Sequence, residues 1–145
     1  MNLFGMLQMS GSALTAERQR AEVVTANMAN AETTRTPEGG PYQRKLVVFR
    51  SQQQPSFPQL LTAGLRNRQE QAVSVERVVT DTSPPEMRYE PSHPDANAEG
   101  FVAYPNINPV NEMADLMGAV QAYEMNSTAV QATKQMIQQS IDLLR

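Results

Sequence analysis

All ten prolines of this 145-residue chain fall between Pro37 and Pro109, and the proline-free ends on either side carry continuous heptad frames. A proline in a helix interior costs about 3 kcal/mol, because it lacks the N–H and its ring collides with the preceding turn. Its confinement therefore divides the chain into two helical ends and a non-helical middle, residues 1–31, 108–145 and 32–107. The first frame is Leu3, Leu7, Ser10, Leu14, Glu17, Ala21, Val24, Met28 and Ala31. The last is Met113, Leu116, Val120, Tyr123, Ser127, Val130, Lys134, Ile137, Ile141 and Leu144. Steps of three and four place each set along one side of a helix. Their apolar members, with Ala21 and Tyr123, form the candidate assembly seam, and the expected fold class is α+β: two long terminal helices forming a coiled-coil domain, with a small β-rich middle. A chain with two such seams is suited to meeting other helices, as an assembly subunit does.

Composition narrows the partners. Net charge is −3 and no block of five like charges occurs, so nothing argues for nucleic acid. The absence of cysteine excludes disulfides, thiolate metal sites and a cysteine nucleophile. No apolar run approaches the roughly 18 residues that would span a bilayer, so direct membrane insertion is not expected. No Lys or Arg precedes Leu3–Leu14, and Gly5, Gln8, Ser10, Gly11 and Ser12 interrupt that run, which fits a cleavable leader poorly. Nine methionines, several on the seams, suit surfaces that repack between neighbours, although ordinary core filling explains them as well.

The first helix is expected from Leu3 to Ala31, stopping where polar and β-branched residues accumulate before Pro37. Glu38-Gly39-Gly40-Pro41 signals a turn, since paired glycines permit positive φ. Strands are expected over Tyr42–Ser51, Val73–Thr80 and Glu86–Glu90, with Gln52–Arg68 a loop. Asn108-Pro109 should open the second helix, Asn as cap and Pro in the first turn, and this helix should run to the C-terminus.

Few residues invite chemistry. Asp95-Ala96-Asn97-Ala98-Glu99-Gly100 imitates the start of a calcium loop. The imitation fails at the twelfth position, Asn106, where a bidentate Glu is needed, and at Pro91, Pro94 and Pro105, which forbid flanking helices. His93 is the only histidine, and no nucleophile elbow accompanies it. Glu38-Gly39-Gly40 lacks the Gly-Lys-Ser/Thr end of a phosphate loop. No cofactor, metal or enzymatic activity is expected.

Three stretches together carry a resemblance. Ala26-Asn27-Met28-Ala29-Asn30-Ala31, closing an amphipathic helix, resembles the signature of bacterial flagellar rod and hook proteins. The run from Thr34 through Pro37, Gly39, Gly40, Pro41 and Tyr42 to Lys45 narrows the likeness to basal-body rod proteins of the proximal-rod, FlgC type. So does the run from Tyr89 through Pro91, His93, Pro94 and Asp95 to Gly100, with Pro105 and Asn106 behind it. Glu112-Met113 and Ala122-Tyr123-Glu124-Met125-Asn126 are similar to that family's C-terminal helix. The resemblance implies a structural rod subunit whose terminal helices pair as a coiled coil inside the rod, with the β-rich segment outside. It implies partners among copies of itself and other rod proteins. It also implies export from the cytoplasm through the flagellar type III apparatus, and a final place in the periplasmic part of the basal body, where the rod transmits torque. A soluble secretion-associated adaptor or chaperone is the alternative; it shares the heptads but has no need of the signatures around Pro37 and Pro94. A wall-degrading enzyme using Glu38 or Glu99 comes third.

Overall fold

The computed structural model describes residues 3–51 and 72–143. The expected Gln52–Arg68 loop and the seam residue Leu144 lie outside the described residues. Helix α1 spans Leu3–Ala29 and helix α2 spans Pro109–Asp142. Between them lie β1 (Lys45–Ser51), β2 (Val73–Thr80), β3 (Glu86–Tyr89) and β4 (Phe101–Tyr104). The strands form two antiparallel pairs, β1 with β2 and β3 with β4. The class is α+β.

α1 stops two residues earlier than its frame suggests. The Asn30 carboxamide donates to the Ala26 carbonyl at 2.8 Å, and Thr33 N–H reaches back to the Asn30 carbonyl at 3.1 Å. Residues 30–32 thus close the helix as a turn, and Thr36 N–H then bonds Gly40 O across the expected glycine turn. Gly39 and Gly40 have φ of +93° and +76°, which favour glycine because it lacks a Cβ. β1 begins at Lys45 instead of Tyr42. Tyr42 N–H is spent on the Thr33 carbonyl at 3.0 Å, which ties this stretch to the helix end instead of to a strand.

α2 opens as expected. The Asn108 side chain accepts from Val110 N–H at 2.9 Å, and Pro109 occupies the first turn, where a missing N–H costs nothing. Its last helical residue is Asp142. The helices run antiparallel, since Asn27 meets Glu112 while Arg20 meets Asp115. Small and polar side chains form the buried face of α2: Glu112, Ala119 and Thr133. Leu116, Val130 and Ile137 flank them, half-buried.

The β1–β2 hairpin lies along α1, with Lys45 held at Asn27 and Val73 N–H donating to Ser12 Oγ at 3.2 Å. The lengths match. Helix residues 12 to 27 rise roughly 22 Å and the seven strand residues roughly 23 Å. The register slips by one residue between Val48 and Phe49, where Glu76 is the extra residue of β2. The alternate residues Val73, Val75, Arg77 and Val79 share one side of an ideal strand; Val73, Val75 and Val79 are half-buried, whereas Arg77, beside this bulge, is exposed. β4 is absent from the sequence-based expectation. It packs Val102 and Tyr104 inward, and Pro105 and Ile107 are buried just beyond it. No described helix is long and apolar enough to cross a membrane.

Candidate functional site

Where the end of α1, the start of β1 and the start of α2 converge, two side chains are almost fully buried: Asn27 and Glu112, each 1% exposed. An amide and a carboxylate survive burial only if their hydrogen-bonding capacity is met. Asn27 Nδ2 donates to the Lys45 carbonyl at 2.8 Å and to Glu112 Oε2 at 3.0 Å. Its Oδ1 accepts from Lys45 N–H at 2.9 Å and from the Tyr42 hydroxyl at 3.2 Å. The side chain therefore grips the Lys45 peptide on both sides, as a neighbouring strand would. Glu112 Oε1 accepts from Arg44 Nε at 2.6 Å, and Arg44 Nη2 stands equally near. Arg44 reaches on to Asp115 at 3.6 Å, and Asp115 takes Arg20 at 3.3 Å. Burial first, and the Glu112 charge second, push the Tyr42 hydroxyl above its ordinary value. Both helices and the first strand are locked together at this junction.

The shoulder beside it is built by the β3–β4 loop. Asn97 Oδ1 accepts from Glu99 N–H and Phe101 N–H, while Asp95 accepts from Thr34 Oγ1 at 2.8 Å and lies 3.9 Å from Arg35. The side-chain oxygens of Asp95 and Asn97, the first two of the calcium-loop imitation, are thus engaged in tying the turn to residues 34–35 and in shaping it. Among the described residues no group of three or more His, Cys, Asp and Glu converges on a metal-sized space. His93 Nδ1 accepts from Asp95 N–H at 3.1 Å, and the ring stands edge-on to Tyr104. Gly100, at φ +82°, lies so close beneath Tyr89 that an added Cβ would meet its ring at 2.9 Å.

The seam residues divide. On α1, Val24 is buried, and Leu3, Leu7, Leu14, Ala21 and Met28 are half-buried. On α2, Leu116, Val130 and Ile137 are half-buried, whereas Met113, Val120, Tyr123 and Ile141 are exposed. A strict seven-residue frame drifts about 20° per heptad around a straight helix. The α2 frame accordingly begins on the outer side and winds inward. Val110, Met113, Met117 and Val120 form an exposed apolar stripe, 73%, 52%, 68% and 47% exposed, turned away from the buried face of α2. α1 differs, since α2 and the hairpin leave it a narrow exposed stripe that includes Gln8, Thr15, Arg18, Glu22 and Thr25.

Of the motif residues, Asn27, Tyr42 and Asn30 act at the junction, and Pro105 is buried near it. Asp95, His93 and Gly100 shape the shoulder, where Pro91 and Pro94 are exposed. Pro37 and Pro41 bracket the glycine turn. Asn106 and Tyr123 are exposed, and Asn126 bonds its own helix at the Ala122 carbonyl. The sequence reading missed the Asn27–Glu112–Arg44 contact. All three residues lie inside the stretches that carry the family resemblance, but nothing in their spacing says that they meet.

The comparisons with known proteins bear on this arrangement. Residues 7–35 match the model described as flagella basal body rod protein. Residues 98–143 match the flagellar basal body rod FlgEFG protein C-terminal model. The flagellar basal-body rod protein FlgC of Bacillus subtilis is 40% identical, with 99% of each chain covered. That of Borreliella burgdorferi is 36% identical, over 100% of this chain and 99% of its own. That of Escherichia coli O157:H7 is 36% identical over 99% and 98%. With similarity of this degree running through both helices, the junction and the shoulder, the chain belongs to the FlgC-type family of flagellar basal-body rod proteins.

Proposed function

We propose that this chain is a structural subunit of the flagellar basal-body rod and joins its neighbours through its terminal helices. The full-length relation to rod proteins carries the rod reading and sets the adaptor alternative aside. The division of α2 supports the manner of joining. One face, with Glu112, Ala119 and Thr133 at its centre, packs on α1, and an exposed apolar stripe beside it is left for a neighbouring helix. Burying each such side chain contributes roughly 1.5–3 kcal/mol. Several together favour holding a helix against a neighbour. On this reading residues 1–31 and 108–145 form the coiled-coil domain and 32–107 the β-rich part. Neighbours are copies of the chain and other rod proteins. We further propose that the chain leaves the cytoplasm through the flagellar type III apparatus and sits in the periplasmic rod; its small buried core suits passage in an unfolded state.

Electron microscopy of cells lacking the chain tests this. Basal bodies halted before the rod is complete, with filaments restored by complementation, are the expected result. Complete rods and filaments without the chain would remove the reading.

A further inference from the structure

The two β units of this chain carry opposite charge. In the hairpin of β1 and β2, Lys45, Arg50 and Arg77 outweigh Glu76 and leave +2. In the shoulder, from β3 through β4, Glu86, Glu90, Asp95 and Glu99 outweigh Arg88 and leave −3. α1 is neutral, and two of the acidic groups of α2, Glu112 and Asp115, are already held by Arg44 and Arg20. Opposite charges attract, yet within one chain no strand of the hairpin packs against a strand of the shoulder. Arg50 takes Glu76 and Arg35 approaches Asp95, whereas the exposed Arg77 and Glu99 form no ion pair among the described residues. Both units are also apolar beside these charges. The strand register puts Leu46, Val48 and Val79 on the same face as Arg77. On the shoulder, Met87, Tyr89 and Phe101 share the face turned away from buried Val102 and Tyr104. Tyr89 is 64% exposed, yet it lies edge-on to Phe101 at 5.3 Å and rests on Gly100, where an added Cβ would meet its ring at 2.9 Å. An aromatic ring held in this way loses little freedom when a partner covers it.

We propose that the hairpin of one copy docks on the shoulder of the next, with Arg77 and Leu46 of the first against Glu99, Tyr89 and Phe101 of the second. This inference rests on the rod reading given above and names the surfaces by which copies of the chain meet, in addition to the helix contact. Charge selects the partner: hairpin and shoulder attract, while two hairpins or two shoulders repel, which disfavours a closed two-fold pair. The aromatic pair supplies the buried anchor, with the charges at its rim setting orientation. Because the two patches differ, each docking leaves one hairpin and one shoulder unused at the ends. The contact is head-to-tail, and a row of copies formed through it can go on growing.

Two experiments test this. The chain has no cysteine, so Arg77→Cys with Glu99→Cys places one thiol on each patch of every copy, both at exposed positions. Purified basal bodies carrying this variant are treated with a short bis-maleimide. The expected products are a ladder of two, three and more copies of the chain. Recovery at the mass of a single chain, products that stop at two copies, or products joined to a different rod protein would each overturn the inference. The second experiment reverses charge. Arg77→Glu alone or Glu99→Arg alone sets like charges against each other and should lower the yield of complete rods about tenfold. The two together in every copy should restore it, and a double variant no better than either single one would overturn the inference. Each purified single variant should keep the wild-type urea midpoint, which separates lost docking from lost folding. Should the wild-type chain itself fail to restore rods to deleted cells, the rod reading fails, a result distinct from all of these.

Discussion

Asn27 uses both of its donor hydrogens and both sides of its oxygen, and each partner belongs to a different part of the chain: α1 supplies the amide, residues 42 and 45 the strand lead, Glu112 the start of α2. Asn27→Ala leaves the Lys45 N–H and C=O and a buried carboxylate oxygen short of partners. The expected loss is on the order of 3 kcal/mol, read as a lower urea midpoint. Glu112→Gln removes the charge that Arg44 faces. Because Arg44 stays about a quarter exposed and keeps Asp115, the expected loss is about 2 kcal/mol, below that of a wholly buried pair. Tyr42 adds a pH dependence. Its hydroxyl is held neutral in the fold to higher pH than in the unfolded chain, mainly by burial and then by Glu112. The unfolded chain therefore deprotonates first. The stabilisation is whole below the ordinary value of 10.0 and falls away as pH rises through the raised one. Tyr42→Phe should be less stable at neutral pH by about 1 kcal/mol, for the lost hydrogen bond, and should lose less on alkalinisation than the wild type. A steeper alkaline loss in the variant contradicts this.

Among the elements, the helices and three of the four strands were legible in the sequence, because proline placement, the Asn108-Pro109 cap and the valine alternation are local signals. β4 was not. Four residues, Phe101–Tyr104, give too short a pattern, and their partner β3 lies across a loop whose turn depends on Gly100. The contact face of α2 was only half legible. An apolar frame in sevens marks residues that want burial, but its drift around a straight helix spreads them over two faces, and the inner one is led by Glu112, Ala119 and Thr133. This division has consequences. Ala119→Leu forces bulk into a closed contact and should cost about 1–3 kcal/mol, seen as loss of helicity at lower denaturant. Ile141→Lys, on an exposed position, should leave the free chain's stability nearly unchanged and yet block rod assembly. Gly118→Ala should raise free-chain stability by up to about 1 kcal/mol, since a Cβ there meets nothing within 4 Å. Gly100→Ala should lower it by about 1–2 kcal/mol through positive φ and the Tyr89 ring.

Taken whole, the molecule is an antiparallel helix pair packed along its length, burying Gly5, Ala16 and Val24 of α1 and Glu112, Ala119 and Thr133 of α2, with its described side-chain ties gathered near one end. The polar ties between α1 and α2 cluster where Asn27, Arg20, Glu112 and Asp115 meet, while Phe4, Ile141 and Leu143 are exposed at the other end. Hydrogen-exchange protection should therefore be greatest in the helical turns around Val24 and Leu116 and decline towards Leu3 and Asp142. Uniform protection along both helices would contradict ties gathered near one end. The packing of α1 on α2 fixes which face of α2 looks outward, and the proposed neighbouring subunit sits on that face. Because the chain has no cysteine, Val120→Cys introduces a single addressable thiol. Treatment of purified basal bodies carrying this variant with a short amine- and thiol-reactive cross-linker should yield products heavier than one chain, joining the introduced thiol to a neighbouring rod subunit. A thiol that reacts freely in complete basal bodies, with the variant recovered only at the mass of a single chain, would contradict the account.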